Sequence, residues 1–124
     1  MQADVMHQMS AEMQRCIDQC QRCHSICLTT TTHCLLLGNQ HAAASHINTL
    51  LDCAEACALS ADFMLRDSYM HARSCGLCAE ACERCAQSCE MMASGDQQML
   101  DCAALCRECA ASCREMSLRA QPSA

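Results

Sequence analysis

Aromatic residues and proline are nearly absent from this 124-residue sequence, which has no tryptophan, one phenylalanine, one tyrosine and one proline. The single proline, Pro122, lies in the terminal QPSA, so proline ring chemistry interrupts no helix in the body of the chain. The lack of aromatics and the formal net charge of −6 argue against the stacking platforms and basic stripes of nucleic-acid-binding surfaces. We therefore expect no nucleic-acid partner.

Long apolar runs are also lacking. None approaches the roughly 20 residues of a membrane-spanning helix. The opening MQADVMHQMSAEMQRC has neither the basic start nor the apolar core of a signal peptide. We expect a cytoplasmic protein with no membrane partner, unless a leader has been removed. Cytosolic thiols are normally kept reduced, so the sixteen cysteines are expected to be free.

The usual core-forming residues are scarce. Leu, Ile, Val and Phe together make up about 14% of the chain, a share typical of chains that cannot collapse on their own. Sixteen cysteines and ten methionines are available to replace them. The core is therefore expected to be rich in sulfur.

Turn signals divide the chain into helical segments. Gly38 in LGNQ and Gly95 in ASGDQ are typical of helix ends, and Asp67 or Ser68 is a candidate helix cap. Ser10 is a further candidate cap, which would separate a short helix over 3–9 from the rest of the first segment. The predicted helices lie near 3–37, 41–66, 68–93 and 96–118.

The short links between these long helices predict antiparallel neighbours. We expect one all-α domain over residues 1–124, an antiparallel up-down four-helix bundle with a cysteine-lined core. A loop-dominated, disulfide-rich fold is disfavoured, because Ala, Glu, Gln and Arg, which are good helix formers, fill the gaps between the cysteines.

The cysteines recur in steps of three and four residues, as in CGLCAEACERCAQSC at 75–89. Such alternation marks the inward face of a helix in a bundle, which we call the seam. All sixteen cysteines are therefore expected to face the core and are candidate metal ligands. They are Cys16, Cys20, Cys23, Cys27, Cys34, Cys53, Cys57, Cys75, Cys78, Cys82, Cys85, Cys89, Cys102, Cys106, Cys109 and Cys113.

Metal binding explains this pattern better than packing or disulfide formation. A core with cysteine at nearly every inward position would be under-filled if the thiols served only as small apolar groups. Thiols at i and i+4 of one helix have Cβ atoms about 5 to 6 Å apart, beyond the reach of a disulfide. Disulfides between cysteines of different helices are still geometrically allowed in an oxidised protein.

Charge favours Cu(I) among the soft metals that thiolates select. About four tetrahedral zinc ions would leave about eight uncompensated negative charges among sixteen thiolates. Roughly one Cu(I) per cysteine would leave the core neutral. Bridged zinc clusters stay open as an alternative. Binding of an iron–sulfur cluster is disfavoured, because the run Cys75, Cys78 and Cys82 continues along a helix without the proline of ferredoxin motifs.

The two ends of the predicted bundle differ in their potential ligands. Thioethers are weak, exchangeable ligands for Cu(I), so the end richer in methionine is expected to be where copper enters and leaves. At the other end His46 is a candidate ligand, whereas His24, which lies off the seam, is expected to face outward. The candidate ligands at the methionine-rich end are Met9, Met13, Met64, His71 and Met116.

The cysteine runs resemble those of a known family. The Cys-x3-Cys-x2-Cys-x3-Cys runs at 16–27 and 102–113, with the run at 75–89, are similar to those of the cytosolic bacterial copper storage proteins over about residues 10–118. The resemblance implies a homotetramer of four-helix bundles in which the sixteen cysteines bind many Cu(I) ions. The second helix carries only Cys53 and Cys57, which argues against a ratio much above one ion per thiol.

We therefore expect a non-enzymatic store of Cu(I) that serves copper homeostasis and detoxification. A zinc-storing thiolate protein and a thiol redox buffer are the alternatives. A copper chaperone or a small thiol is the expected copper donor. Leucines that lie off the seam are candidates for an oligomer interface, namely Leu35, Leu36, Leu51, Leu59, Leu77 and Leu105.

Overall fold

The computed structural model describes residues 10–119, and this part of the chain forms four α-helices. They are α1 (Ala11–Leu37), α2 (Ala44–Leu65), α3 (His71–Ala93) and α4 (Gln97–Arg119), with a 3-10 turn at Asn39–Ala42 between the first two. Each helix packs against the next, and α1 also packs against α4. Because the links are short, neighbours run antiparallel, which confirms the predicted four-helix bundle.

Side-chain caps fix where α1 and α4 begin. Ser10 Oγ accepts a hydrogen bond of 3.0 Å from the backbone N–H of Met13, and Asp96 Oδ1 accepts one of 3.0 Å from that of Met99. Each cap satisfies a backbone donor that has no partner within the first helical turn. The short helix predicted over 3–9 lies outside the described residues.

Left-handed backbone conformations end the helices at the predicted breaks. Gly38 has φ 76° after α1, Asp67 has φ 54° after α2, and Ser94 and Gly95 have φ 45° and 85° after α3. Glycine adopts this region without the steric cost that a Cβ brings. Asp67 and Ser94 also adopt this left-handed region. Aspartate tolerates it better than most residues do.

Two helices begin later than the sequence pattern predicts. Helix α2 starts at Ala44 rather than near 41, because Asn39–Ala42 forms the 3-10 turn. Helix α3 starts at His71 rather than at 68, because Ser68 is held in a turn. Its hydroxyl accepts from the N–H of Met70 at 3.0 Å, and its carbonyl accepts from that of His71 at 3.1 Å.

Alanines beside the seam set how closely the helices approach. Helix α3 buries four alanines at heptad spacing, Ala72, Ala79, Ala86 and Ala93. The same heptad spacing of buried alanines occurs in α2, with Ala54 and Ala61, and in α4, with Ala103 and Ala110. Methyl side chains fill little space, so they allow the helix backbones to approach one another closely beside the thiols. No helix within residues 10–119 is long and apolar enough to cross a membrane.

Candidate metal centre

The sixteen cysteines form the inner lining of the bundle. Each is a free thiol with 0% of its surface exposed. The heptad step between Cys27 and Cys34 is filled by Thr30 and Thr31, which are also buried, with Thr31 Oγ1 donating to the carbonyl of Cys27 at 2.7 Å. The periodicity of the seam therefore persists where cysteine is replaced.

At mid-height of the bundle each helix contributes one thiol to a common cluster. The Sγ atom of Cys23 on α1 lies 3.6 Å from Cys106 on α4 and 3.9 Å from both Cys53 on α2 and Cys82 on α3. Cys53 is 3.6 Å from Cys82 and 3.9 Å from Cys106. The antiparallel arrangement thus brings together four residues that are far apart in sequence.

Close sulfur contacts continue from this level towards both ends. On one side Cys57 lies 3.7 Å from Cys82 and 3.6 Å from Cys78. On the other side Cys27 lies 3.9 Å from each of three thiols on α3 and α4, Cys85, Cys102 and Cys106. Beyond Cys78, on the first of these sides, Cys20 is 3.4 Å from Cys113 and 3.7 Å from Cys109, and Cys16 is 3.6 Å from Cys113.

The thiols group into fours that share members. Within residues 10–119, groups whose Sγ atoms all lie within 4.8 Å of one another include Cys20/Cys78/Cys109/Cys113, Cys57/Cys78/Cys82/Cys109, Cys23/Cys53/Cys57/Cys82, Cys23/Cys27/Cys53/Cys106 and Cys27/Cys85/Cys102/Cys106. Most of these cysteines belong to two groups. The arrangement is therefore a continuous column of donors rather than a set of separate sites.

The sulfur spacing suits a metal bound by three or four thiolates. A metal–sulfur bond of about 2.3 Å places sulfurs about 3.8 Å apart in a tetrahedral site and about 4.0 Å apart in a trigonal one. The observed contacts of 3.4 to 4.0 Å match these separations. A linear two-thiolate site would need about 4.6 Å between its sulfurs, a separation that also falls within the 4.8 Å span of the groups of four.

Contacts between neighbouring thiols separate their pKa values in the metal-free column. Hydrogen bonds from Cys109 and Cys113 hold the pKa of Cys20 well below its usual value. Cys113 has a raised pKa, because its hydrogen bonds to Cys109 and other thiols, and then its burial, favour the protonated form. Near the end of the column, burial raises the pKa of Cys34 to about 11. At the thiols whose pKa is raised, metal binding therefore has to displace a proton.

One end of the bundle, which we call the mouth, carries the predicted thioether and imidazole donors. It contains Met13, Met64, His71 and Met116. Met64 and Met116 are buried within the core cluster, and Met13 packs against it half-buried. The remaining mouth candidate, Met9, lies outside the described residues.

His71 presents a free ring nitrogen at the mouth. Its Nδ1 donates a hydrogen bond of 2.8 Å to the carbonyl of Ser68. Its Nε2 is buried and, within the part of the chain that the structure describes, has no hydrogen-bond partner. A buried, unpartnered lone pair costs free energy unless something binds it, so this atom fits a metal ligand.

The opposite end, which we call the far end, holds a second imidazole next to a thiol. His46 is 1% exposed, and its Nε2 lies 3.4 Å from Cys34 Sγ. Its Nδ1 shares a hydrogen bond of 2.6 Å with Ser88 Oγ. Burial lowers the pKa of His46, which favours the neutral ring that binds metals. Ser88 could not be identified from the sequence, where its only signal is its position beside Cys89.

The expectation for His24 was wrong. Its side chain is half-buried, and its Nδ1 lies 2.9 Å from the carbonyl oxygen of Ala54 on α2. The residue therefore fastens α1 to α2 rather than facing solvent. A histidine one position from the seam can reach the neighbouring helix, because its imidazole is long enough to meet the backbone at the buried Ala54.

Comparison with known proteins gives relatives with the same architecture. The Nmul_A1745 protein of Nitrosospira multiformis is 41% identical, with a TM-score of 0.81, and the match covers 87% of this chain and 96% of that one. A Cu(I)-bound structure of the copper storage protein BsCsp3 is 33% identical, with a TM-score of 0.79, covering 86% and 98%.

A sequence relative adds a shorter match. The uncharacterised cysteine-rich protein YhjQ of Bacillus subtilis is 35% identical over 65 residues, which span 52% of this chain and only 60% of that protein. A family model described as copper storage protein matches residues 9–118. This chain, with its column of buried thiols inside a four-helix bundle, belongs to the copper storage protein family.

Proposed function

We propose that the protein stores Cu(I) as thiolate complexes of its sixteen cysteines, with roughly one Cu(I) ion per cysteine. The observation that carries this proposal is the sharing of thiols between adjacent four-sulfur groups. Shared thiolates bridge neighbouring ions, and Cu(I) is a soft ion that accepts such ligands. The Cu(I)-bound state of BsCsp3, a relative with the same fold, supports the choice of metal.

Charge and geometry together disfavour a zinc store. Closed tetrahedral zinc sites without shared ligands can use three of the four-thiol groups at once, Cys20/Cys78/Cys109/Cys113, Cys23/Cys53/Cys57/Cys82 and Cys27/Cys85/Cys102/Cys106. Each such site would bury a net charge of about −2, which carries a large desolvation cost. One monovalent ion per thiolate removes that charge.

Burial also disfavours a thiol redox buffer. Redox-active cysteines are partly exposed thiols of low pKa that a disulfide or peroxide can reach. Every cysteine here is fully buried, so an oxidant in solution meets none of them directly. The same burial protects bound copper from redox cycling, and the protein acts as a non-enzymatic sink for copper homeostasis and detoxification.

The two ends have different roles in this proposal. Ions enter and leave through the mouth, where Met13, Met64 and Met116, together with Met9, offer exchangeable thioethers and His71 offers a free Nε2. At the far end, Cys34 and His46 bind a terminal ion between a thiolate and an imidazole. A copper chaperone or a small thiol in the cytoplasm delivers the ions.

Exposed leucines support a homo-oligomer, which we propose to be a tetramer. Leu35, Leu36, Leu51, Leu59 and Leu77 are all exposed, and Leu105 is half-buried. Leu59 and Leu77 line a groove of about 410 Å³ between α2 and α3. Burying such side chains between copies removes apolar surface from water.

Copper tolerance in cells tests the proposed function. The native chain and a variant with Cys23, Cys53, Cys82 and Cys106 replaced by serine are expressed at equal levels in a copper-sensitive bacterial host. We expect the native chain to raise tolerance and to carry copper when purified anaerobically, and the variant to do both less well. Equal tolerance with both chains, or zinc in the purified native protein, would contradict the proposal.

A further inference from the structure

Ser60 interrupts the cysteine seam close to the mouth. It occupies the seam position of α2 between Cys57 and Met64, and its side chain is 0% exposed. Leu50, near the far end of the same helix, is another seam position without a cysteine and is equally buried. A buried hydroxyl among thiols has to find hydrogen-bond partners.

Ser60 finds its partners on α3. Its Oγ lies 3.2 Å from the Sγ of Cys75. The hydroxyl of Ser74, which is itself 5% exposed, lies 3.5 Å from Ser60 Oγ and donates its proton to the carbonyl of His71 at 3.1 Å. Once Cys75 is a thiolate its sulfur can only accept, so the hydroxyl of Ser60 is then the donor of this hydrogen bond.

The position of Cys75 makes this hydrogen bond relevant to copper exchange. Cys75 is the first cysteine of α3 and follows His71 by one helical turn, so it is among the first thiols inside the mouth. Its sulfur neighbours are Cys113 and Cys16. At mid-height, by contrast, all four helices contribute a thiol.

The chemistry of a hydroxyl differs from that of a thiol in two ways. A neutral oxygen is a poor ligand for Cu(I), so Ser60 adds no strong donor at this level. A hydrogen bond donated to a thiolate stabilises the free anion more than the copper-bound sulfur, whose charge is already neutralised. Both effects weaken the hold of Cys75 on copper.

We propose that Ser60 is a positioning residue that keeps the copper ion at Cys75 exchangeable, so that ions pass here between the mouth and the tighter thiolate column. This inference rests on the proposed function. The hydrogen bond of Ser60 sets the release rate of the ions nearest the mouth, whereas the cysteines set the total number of ions bound.

Three variants test this role. S60A removes the hydrogen bond, S60C replaces it with a further thiolate, and L50C adds a thiol at Leu50, a seam position of the same helix near the far end. Each chain is loaded anaerobically with Cu(I) to its plateau. An excess of bathocuproine disulfonate then removes the copper, and its coloured Cu(I) complex gives the release rate.

We expect the first ions to leave S60A about tenfold more slowly than the native chain, since a hydrogen bond to a charged group is worth about that factor. S60C is expected to be slower still and to bind about one more ion, as judged by its thiolate-to-Cu(I) absorption. L50C is expected to gain capacity without slowing. Release at the native rate from both Ser60 variants, or equal slowing in L50C, would overturn the inference.

The experiment separates this inference from the proposed function. If the native chain reaches no Cu(I) plateau, the storage function itself fails. If it reaches the plateau and the Ser60 variants release copper at the native rate, only the role of Ser60 fails. Circular dichroism of each metal-free variant checks folding, and should S60A unfold, the comparison of S60C with L50C decides.

Discussion

The Nε2 atom of His46 on α2 lies 3.4 Å from the Sγ atom of Cys34 on α1, at the far end of the thiol column. The other ring nitrogen is held by Ser88 on α3. Three helices thus fix one imidazole beside one thiol. This pair offers a mixed site whose donors differ from those of the all-thiolate column.

Replacing His46 is expected to remove the ion at this pair. H46A should lower the Cu(I) plateau by about one ion per chain, because a single thiolate offers too few donors. S88A keeps the imidazole but frees its orientation, so it should weaken this ion without lowering the plateau. An unchanged plateau and affinity in H46A, measured by competition with a chelator, would contradict the assignment.

Copper binding at Cys34 should strengthen as the pH rises. Its pKa of about 11 means that the metal-free side chain is a neutral thiol at neutral pH. Binding must then displace a proton, so the affinity should increase about tenfold per pH unit until the thiol ionises. Proton release during titration of the native chain and of C34S, followed with a pH indicator, measures this step. Equal proton release from both chains would count against it.

The thioethers at the mouth should control the loading rate rather than the capacity. Met64 is fully buried at a seam position. M64L keeps the volume and costs less than about 1.5 kcal/mol of stability, but it removes the sulfur. We expect slower uptake of Cu(I) from a chelator complex, with an unchanged plateau. Uptake at the native rate would show that Met64 serves only as packing.

The buried alanines should be as important to capacity as the thiols that they flank. Ala86 is completely buried on α3. A86V forces the helices apart and should destabilise the metal-free protein by about 1 to 3 kcal/mol. Because wider helices separate the sulfurs, the copper plateau should also fall. A lowered melting temperature with full copper capacity would show that the column tolerates expansion.

The groove lined by Leu59 and Leu77 is the proposed contact surface between copies of the chain. L59E places a charge on this surface without touching the thiol column, and we expect it to dissociate the assembly. Light scattering of the native and L59E proteins gives the molecular masses. Dissociation with an unchanged Cu(I) plateau is the expected result, whereas a native assembly in L59E would place the interface elsewhere.

The periodic features of the protein could be predicted from its sequence, because they depend on single helices. A step of three or four residues places Cys75 and Cys89 on one helical face whatever surrounds them. The helix starts at Ala44 and His71 could not be predicted, since they depend on hydrogen bonds within turns.

Contacts between side chains of different helices could not be predicted from the sequence either. The bond between His46 and Ser88, and that between Ser60 and Cys75, depend on how far α2 slides along its neighbours. No local pattern specifies that register. His24 was misplaced for the same reason, because its partner lies on another helix.

An anaerobic titration of the fully reduced protein with Cu(I), in competition with a chromophoric chelator, tests the central claim most directly. The account predicts a tight plateau near one ion for each of the sixteen cysteines. A plateau near about four ions, as separate four-thiolate sites would give, or ready loss of copper to the chelator, would contradict it.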